Sequence, residues 1–515
     1  MGILSLVILA PLAAAVVLLV IPNKSRGAVR LVSLLGATIS LIGSIKVALD
    51  YDIATGGVQM RESIPIISEL GIAWKLGVDG WGVSLLLLTA VIIFAGVWAS
   101  WTMTTREKEF FILLLVLVAG VFGVFVSLDL FVFFLFYEIA VLPMYLLIGV
   151  WGSSKPVEKT GPLLAALRPF DIGGRQYAAM KLTLMLMAGS ALILAAFLGM
   201  VMQAGGTWDL EIIQQTDFPA QLQVVLFPLL WIGFGTLAGV FPWHTWSPDG
   251  HASAPTAVSM LHAGVLMKLG AFGVIRVAMI CLPEGADFWA YAVGCIAVLN
   301  IVWGALGAMG QTDLKYVIAY SSVSHMGIVM LGAATLNVDG WNGAIFQMFA
   351  HGVMTGLFFA LVGLVYEKAH SREIFEMGGF ASRMPAVAVF FTIGGLSSLG
   401  LPGTAGFAAE LLVFLGAWKV HWWWAVPAVA GAIFTAIYVL RATRAIFWGP
   451  PSQIPYPDLE DTRGTQWVAP LILVGCILAF GLAPDLLLQY IDPATIHYLE
   501  AFADRLVPAT AEVLP

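Results

Sequence analysis

Long apolar runs alternate with short polar segments along this chain, and the length of the runs sets the first expectation. A helix crossing the hydrocarbon of a bilayer needs about 20 apolar residues at 1.5 Å each. About fourteen runs meet that requirement, at approximately 3–22, 28–48, 81–102, 110–127, 129–150, 178–203, 222–243, 254–280, 286–308, 314–335, 341–366, 386–416, 423–447 and 467–489. The longest polar stretches, 51–80 and 152–177, read as ordinary loops. The first run has no basic residue ahead of it and is followed by Lys24, Arg26 and Arg30. It therefore reads as a span rather than a cleaved signal.

Two of the runs are interrupted. WIGFGTLAGVFPWHTWSPDGHASAPTAVS (231–259) is broken around Pro242 and Pro248, and FTIGGLSSLGLPGTAGFAAELLVF (391–414) around Gly400, Pro402 and Gly403. Proline removes a backbone donor and clashes with the preceding helical turn. Irregular backbone at membrane depth survives only inside protein or beside water. Paired interruptions in two halves point to an inverted-repeat transporter core. Ordinary proline kinks are the plainer reading; His244, Asp249, His251 and Glu410 around the breaks favour the functional one.

Composition supports the spans. Of 515 residues, 60% are hydrophobic and 11% charged, against about 25% charged in an average soluble domain. Such a chain could not cover a soluble surface, which excludes a cytosolic enzyme, a nucleic-acid binder and a disordered protein. The placement of charge matters more than the net −7. Seventeen of the 24 basic residues fall in odd-numbered connections or their margins: Lys24, Arg26, Arg30, Arg106, Lys108, Lys155, Lys159, Arg168, Arg175, Lys181, Lys315, Lys368, Arg372, Arg383, Arg441, Arg444 and Arg463. The positive-inside rule puts those connections in the cytoplasm, and both termini outside it in a bacterial inner membrane. The acidic tail after about 490 then reads as short and extracytoplasmic.

A charged side chain at mid-membrane costs at least ~2.5–3.5 kcal/mol. Three stand out: Glu138 in FVFFLFYEIAVLPMYLLIGV, Lys268 in SMLHAGVLMKLGAFGVIRVA and Glu410 in GLPGTAGFAAELLVFLGAW. His244, His262, His325 and His351 accompany them. A static ion pair could hold helices together with such residues, and any one histidine could simply fill a packing or hydrogen-bonding position. Intramembrane ionisable groups more often mark ion or proton paths, and imidazole gives and takes protons near neutral pH. Ser321 and His325 share a helix face; His262 and Lys268, six apart, do not, so a relay between them needs water. Cys281, Cys295 and Cys476 are far apart in the sequence and suggest no zinc, iron–sulfur or covalent haem site. No cofactor and no metal is expected in this chain.

Eight segments, in order along the chain, resemble the antiporter-like subunits of respiratory complex I, and among them the subunit M (chain 4) type. They are FYEIAVLP (136–143), RQYAAMK (175–181), FPWHTWSPDGHASAPT (241–256), LHAGVLMK (261–268), QTDLKYVIAYSSVSHMG (311–327), QMFAHG (347–352), YEKAHSRE (366–373) and GLPGTAGFAAE (400–410). The chain carries no long C-terminal extension of the subunit L type. The resemblance implies an all-α polytopic membrane protein of about fourteen helices, with two inverted five-helix repeats and two broken helices. The expected division is 1–109 (helices 1–3), 110–280 (first repeat), 281–450 (second repeat) and 451–515 (helix 14 and tail). It implies a proton path through Glu138, Lys268, His325, His351 and Glu410, with His262 and His244 beside it. Redox energy would come from partner subunits of an NADH–quinone oxidoreductase, including L-type and N-type neighbours. One residue departs from the family pattern. The lysine usual on the broken seventh span is Leu237 here, and no Lys or Arg occurs between Lys181 and Lys268. Glu138 then pairs across a subunit boundary, or pumping follows an altered scheme, or the first half-channel is silent. The rival readings are a subunit of a multi-subunit cation/proton antiporter or membrane-bound hydrogenase, a haem protein ligated by His325 and His351, and a solitary solute transporter.

Overall fold

The computed structural model describes residues 2–153 and 174–506. Lys155, Lys159, Arg168 and most of the 152–177 loop lie outside the described residues. Among the described residues, thirteen helices are long and apolar enough to cross a membrane. They are α1 (Ile3–Val20), α2 (Arg26–Asp50), α3 (Gly80–Ala99), α4 (Glu107–Val126), α5 (Leu130–Trp151), α6 (Arg175–Gln203), α7 (Ala220–Ser253), α8 (Thr256–Met279), α9 (Pro283–Met309), α10 (Leu314–Ala334) and α11 (Val338–Ala369), then, beyond one split crossing, α13 (Trp422–Trp448) and α14 (Gly464–Leu482). The split crossing, α12, consists of Pro385–Ser398 and Ala405–Val420. The chain is a multi-pass membrane protein, and the thirteen helices and the split pair among the described residues match the roughly fourteen apolar runs of the sequence.

Burial orders these helices into shells. The apolar window of α8 is wholly buried and those of α10 and α11 nearly so, whereas α13 and α14 expose most of theirs. The central helices carry the ionisable residues; the outer ones present Leu, Ile and Trp to lipid, as the absence of water there requires. Successive crossings put Lys24, Arg106, Lys108, Arg383 and Arg463 on one side, called here the basic face.

Two expectations need correction. The stretch 51–80 is not a plain loop: β1 (Gln59–Ile67) and β2 (Ile72–Val78) form an antiparallel hairpin that turns at Gly71, φ 66°. It lies opposite the basic face, and its own cations are neutralised there: Lys75 meets Asp209 at 2.6 Å and Glu211 at 2.7 Å, and Arg61 meets Glu211 at 2.6 Å. Nor does the chain after 490 trail away. A further helix, α15 (Asp485–Leu506), lies over the hairpin face and buries Leu487, Ile491, Ala494, Tyr498 and Phe502. That stripe is amphipathic, so a search for wholly apolar windows passes over it.

α15 is stapled down. Asp79 caps α3 through Gly82 N at 2.8 Å and also receives Arg276 Nη1 of α8 at 2.6 Å and Tyr498 Oη at 2.8 Å. Trp81 Nε1 donates to Thr495 Oγ1 at 3.0 Å. Arg505 donates to the carbonyls of Gln214 and Thr216, and to those of Ile280 and Cys281, which the end of α8 leaves open. Gly80 is required here, because a Cβ would stand 1.7 Å from the Tyr490 carbonyl oxygen.

The hairpin also holds the start of α1. Glu62 accepts from Gly2 N at 2.7 Å, Leu4 N at 2.9 Å, Ser5 N at 3.2 Å and Ser5 Oγ at 2.6 Å. Burial opposes its charge, but the Ser5 hydroxyl and the three amides outweigh burial and hold the carboxyl below its ordinary 4.5. A carboxylate depressed on folding contributes stability above its unfolded value, and the contribution is lost as pH falls through the folded one. Protection of the β1 amides against hydrogen exchange, taken relative to the intrinsic rate at each pH, should therefore be flat above about pH 4.5 and fall below it, and Glu62→Gln should remove that acid dependence.

The two halves share a backbone device on opposite faces. On the hairpin face, Leu130 N bonds to Trp208 O at 2.8 Å and Leu210 N to Leu128 O at 2.9 Å, while Asp129 caps α5. On the basic face, Leu314 N bonds to Arg372 O and Ile374 N to Thr312 O, both at 2.9 Å, while Asp313 caps α10. The broken helices match in the same way. The first half of α7 ends at Gly239, φ 75°, and that of α12 is followed by Gly400, φ 69°, each satisfying a carbonyl five residues back through the next amide.

Candidate functional site

The site begins where α8 departs from regular helix. His262–Leu266 forms a π-helical turn, and a second follows at Val274–Met279. A π turn shifts the ladder and leaves carbonyls available. Lys268, fully buried, donates to one of them, the Ala263 carbonyl. Its Nζ also lies 2.7 Å from His351 Nδ1 of α11. The geometry serves two protonation states: an ammonium donates to a bare Nδ1, and a neutral amine accepts from Nδ1–H. A proton can therefore change sides without either residue moving far.

The chain of groups continues across three more elements. The His351 and His325 rings stand 5.3 Å apart between centroids, tilted by 33°. His325 Nδ1, on α10, lies 3.3 Å from Glu410 Oε1 and 3.2 Å from Gln347 Nε2, and its Nε2 lies 3.2 Å from Ser398 Oγ. Gln347 Nε2 also reaches Glu410 Oε1 at 3.5 Å. Neutral His325 accepts from the Gln347 amide; protonated, it donates to Glu410. The break in α12 makes room for that carboxylate, since a Cβ at Gly400 would sit 2.8 Å from Glu410 Oε2. Beside this end, Tyr438 of α13 donates to Ser321 Oγ at 2.6 Å.

At the other end, four rings stack in the order Trp246, His262, His251, Phe359. Their centroids lie 5.1, 4.1 and 5.7 Å apart, and the two imidazoles are nearly parallel at 6°. His251 Nδ1 is 2.6 Å from the Ser247 carbonyl, which can only accept, so Nδ1 carries the proton and Nε2 is left as an acceptor. His251 Nε2 and both His262 nitrogens are buried without a protein partner. Buried polar atoms of this kind are commonly met by water.

Five of the seven residues singled out in the sequence, His262, Lys268, His351, His325 and Glu410, thus come together in the interior. The other two stand elsewhere. His244 stacks on Phe241 at 5.7 Å and receives Trp303 Nε1 at 3.1 Å, next to the outer surface of α9. Glu138 lies on the outward stripe of α5, between the exposed Leu135 and Leu142. Its Oε1 is buried with no partner, and Ser190 of α6 is the polar side chain beside it. Leu237 is packed in the apolar interior. The sequence reading missed His251, Gln347, Ser398 and Tyr438 as site residues. His251 shares the broken segment with His244 and was legible there; the others are neutral side chains that carry no charge signal.

The haem reading does not fit. The His325 and His351 rings are closer than two axial ligands can stand across a macrocycle, and each already faces a charged partner. Among the described residues, no group of three His, Cys, Asp or Glu side chains converges as a metal would need.

Comparison with known proteins agrees with this architecture. The family model described as NADH:quinone oxidoreductase/Mrp antiporter, TM matches residues 127–435. NADH-quinone oxidoreductase subunit M of Rhodobacter capsulatus is 36% identical over 97% of each chain. A chain of respiratory complex I from Thermus thermophilus superposes with a TM-score of 0.86 at 29% identity, covering 98% of this chain and all of that one. A chain of the Mrp complex from Dietzia sp. shares the fold, with a TM-score of 0.81 at 20% identity over 97% of this chain and 98% of that one. By sequence along its whole length and by fold, the chain is a member of the NADH:quinone oxidoreductase/Mrp antiporter transmembrane family.

Proposed function

We propose that this chain is a proton-translocating membrane subunit of an NADH–quinone oxidoreductase, of the subunit M type. Redox chemistry in partner subunits would drive protons along the buried axis His251/His262–Lys268–His351–His325–Glu410. The observation that carries this reading is the convergence of two connected groups: His251 and His262 stack at 4.1 Å, and Lys268, His351, His325 and Glu410 follow at 2.7–3.3 Å or ring to ring at 5.3 Å, leaving the step from His262 to Lys268 to water. Moving one charge against 100 mV costs about 2.3 kcal/mol. A change in pairing among these charges is of that order.

The matched backbone bridges and helix breaks support two inverted repeats, α4–α8 and α9–α13. The basic face is then cytoplasmic, in a bacterial inner membrane, with the hairpin, α15 and both termini on the other side. Whole-length identity to a subunit M favours that assignment over the antiporter and hydrogenase rivals. Complex-bearing vesicles in sodium-free medium should acidify their lumen on NADH addition. Acidification that requires added sodium would contradict a proton cargo.

Glu138 bears on the partners. A carboxyl on an apolar outward stripe is costly against lipid. With Leu237 in place of the usual lysine, a group from an adjacent antiporter-like subunit supplies its partner. Leu142→Cys should then cross-link to that neighbour at short range. Free reaction of the introduced thiol with lipid-soluble reagents in the intact complex would argue against the interface.

A further inference from the structure

The two nitrogens of His325 meet different kinds of partner, and the difference decides which of them carries the resting proton. Nδ1 stands 3.2 Å from Gln347 Nε2 and 3.3 Å from Glu410 Oε1. The same Gln347 nitrogen reaches Glu410 Oε1 at 3.5 Å. An amide oxygen in that place would face a carboxylate oxygen, so the NH2 group occupies it and donates. Neutral His325 then accepts on Nδ1. Its own proton sits on Nε2 and goes to Ser398 Oγ at 3.2 Å.

Ser398 closes the first half of α12, just before the turn at Gly400. Its hydroxyl is buried, has one proton to place, and has Tyr438 of α13 as a hydroxyl neighbour. Tyr438 Oη in turn donates to Ser321 Oγ at 2.6 Å and reaches Thr435 Oγ1 at 3.3 Å. Thr435 gives its own proton to the Gly431 carbonyl at 3.1 Å, so toward Tyr438 it is an acceptor. With the phenol's single proton directed to Ser321 and Thr435, the phenol oxygen is left to accept from Ser398. Val317, Ile318, Phe358, Phe391 and Val439 surround Tyr438 and Ser321 with apolar surface. The donors therefore run one way: His325 Nε2 to Ser398, Ser398 to Tyr438, Tyr438 to Ser321. In a low-dielectric interior each link of such a string polarises the next, which opposes its reversal.

We infer that Tyr438, acting through Ser398, is a positioning residue that holds His325 in the Nε2–H tautomer, so that the proton His325 exchanges is the one on Nδ1, the nitrogen facing Glu410. Without the phenol, Ser398 is free to turn its proton onto Nε2. His325 then rests with its proton on Nδ1, which can accept no other and which meets the Gln347 amide donor against donor. Tyr438 keeps its own proton throughout. The inference rests on the proton-translocating reading of the axis and names the nitrogen at which that axis exchanges.

The test uses the assembled complex in sealed vesicles. Protons pumped per NADH oxidised are compared for Tyr438→Phe, Ser398→Ala, the double variant and Lys268→Met, the last of which sets the share of pumping due to this subunit. Solid-state nitrogen-15 spectra of histidine-labelled complex, with those of a His325→Gln variant subtracted, report the tautomer of His325. The parent is expected to show a protonated Nε2 and a bare Nδ1, and Tyr438→Phe a mixture of both tautomers. Tyr438→Phe should lower this subunit's share of pumping roughly two- to tenfold, the worth of one hydrogen bond. The double variant should lose no more than Ser398→Ala alone, because the two residues act in series. A parent tautomer or parent-like pumping in Tyr438→Phe, or losses that add in the double variant, makes Tyr438 a packing residue and overturns the inference; the axis still stands if Lys268→Met has lost pumping. Parent-like pumping in Lys268→Met overturns the axis as well.

Discussion

Lys268→Met should abolish proton pumping by this subunit while leaving the complex assembled. Methionine matches the length of lysine and suits an apolar interior, so the packing of α8 survives. What is lost is the ammonium that joins the Ala263 carbonyl to His351 Nδ1. Leaving those two acceptors unpaired costs about 1–3 kcal/mol each, too little to unfold a bundle of fourteen crossings. The informative companion is Lys268→Arg. Guanidinium keeps the positive charge but does not release its proton in proteins. A static pair holding helices together would be rescued by arginine; a relay would not. The measurement is protons moved per NADH oxidised in sealed vesicles. Recovery of parent pumping in Lys268→Arg would return Lys268 to a structural role.

Glu410→Gln should be nearly as damaging, for a different reason. Glutamine keeps the size of the side chain and an oxygen that can accept from the Gln347 amide. The break at Gly400 still accommodates it, and stability should barely change. It cannot take a proton from His325, which lies 3.3 Å away. The chain of transfers then ends one step early, and pumping should fall to near the level of Lys268→Met. Glu410→Asp keeps the chemistry one methylene short and should retain part of the activity. Parent-like pumping in Glu410→Gln would mean that the α12 carboxylate is a packing element.

The crossings were legible because lipid imposes a simple rule: about 20 apolar residues for each helix, with charges sorted by side. The axis was legible for a related reason. A lysine or glutamate inside an apolar run is so costly that its presence is itself a signal, and Lys268, His351, His325 and Glu410 do converge. Three things escaped the sequence. α15 is amphipathic, and its polar half hides it from an apolar-window criterion although Leu487, Ile491, Ala494, Tyr498 and Phe502 mark a helical stripe. Gln347, Ser398 and Tyr438 are cheap enough in a membrane to pass without notice, and their pairings join residues 22 to 117 positions apart. Glu138 and His244 were also read as part of the proton path, and azimuth on the helix keeps them out of direct contact with the connected groups. Glu138 belongs to the outward stripe of α5, and His244 turns toward Trp303.

Leu237 is packed in the apolar interior. With no cation between Lys181 and Lys268, the first half of the molecule holds Glu138 and the pair Lys181–Asp249, closed at 2.7 Å and joined by Tyr316 at 3.0 Å. The connected axis spans both halves: His251, His262 and Lys268 come from α7 and α8, and His351, His325 and Glu410 from α11, α10 and α12.

Proton transfer along the axis requires its gaps to be wet. Two transfers, from His262 to Lys268 and from His351 to His325, are not made by direct hydrogen bonds between side chains. Ordered water in a high-resolution structure of the assembled complex is the most direct test. A working axis predicts water density within hydrogen-bonding distance of the His262 nitrogens and between the His351 and His325 rings, giving an unbroken line from His262 to Glu410. Apolar side chains filling both gaps in every state of the complex would contradict it.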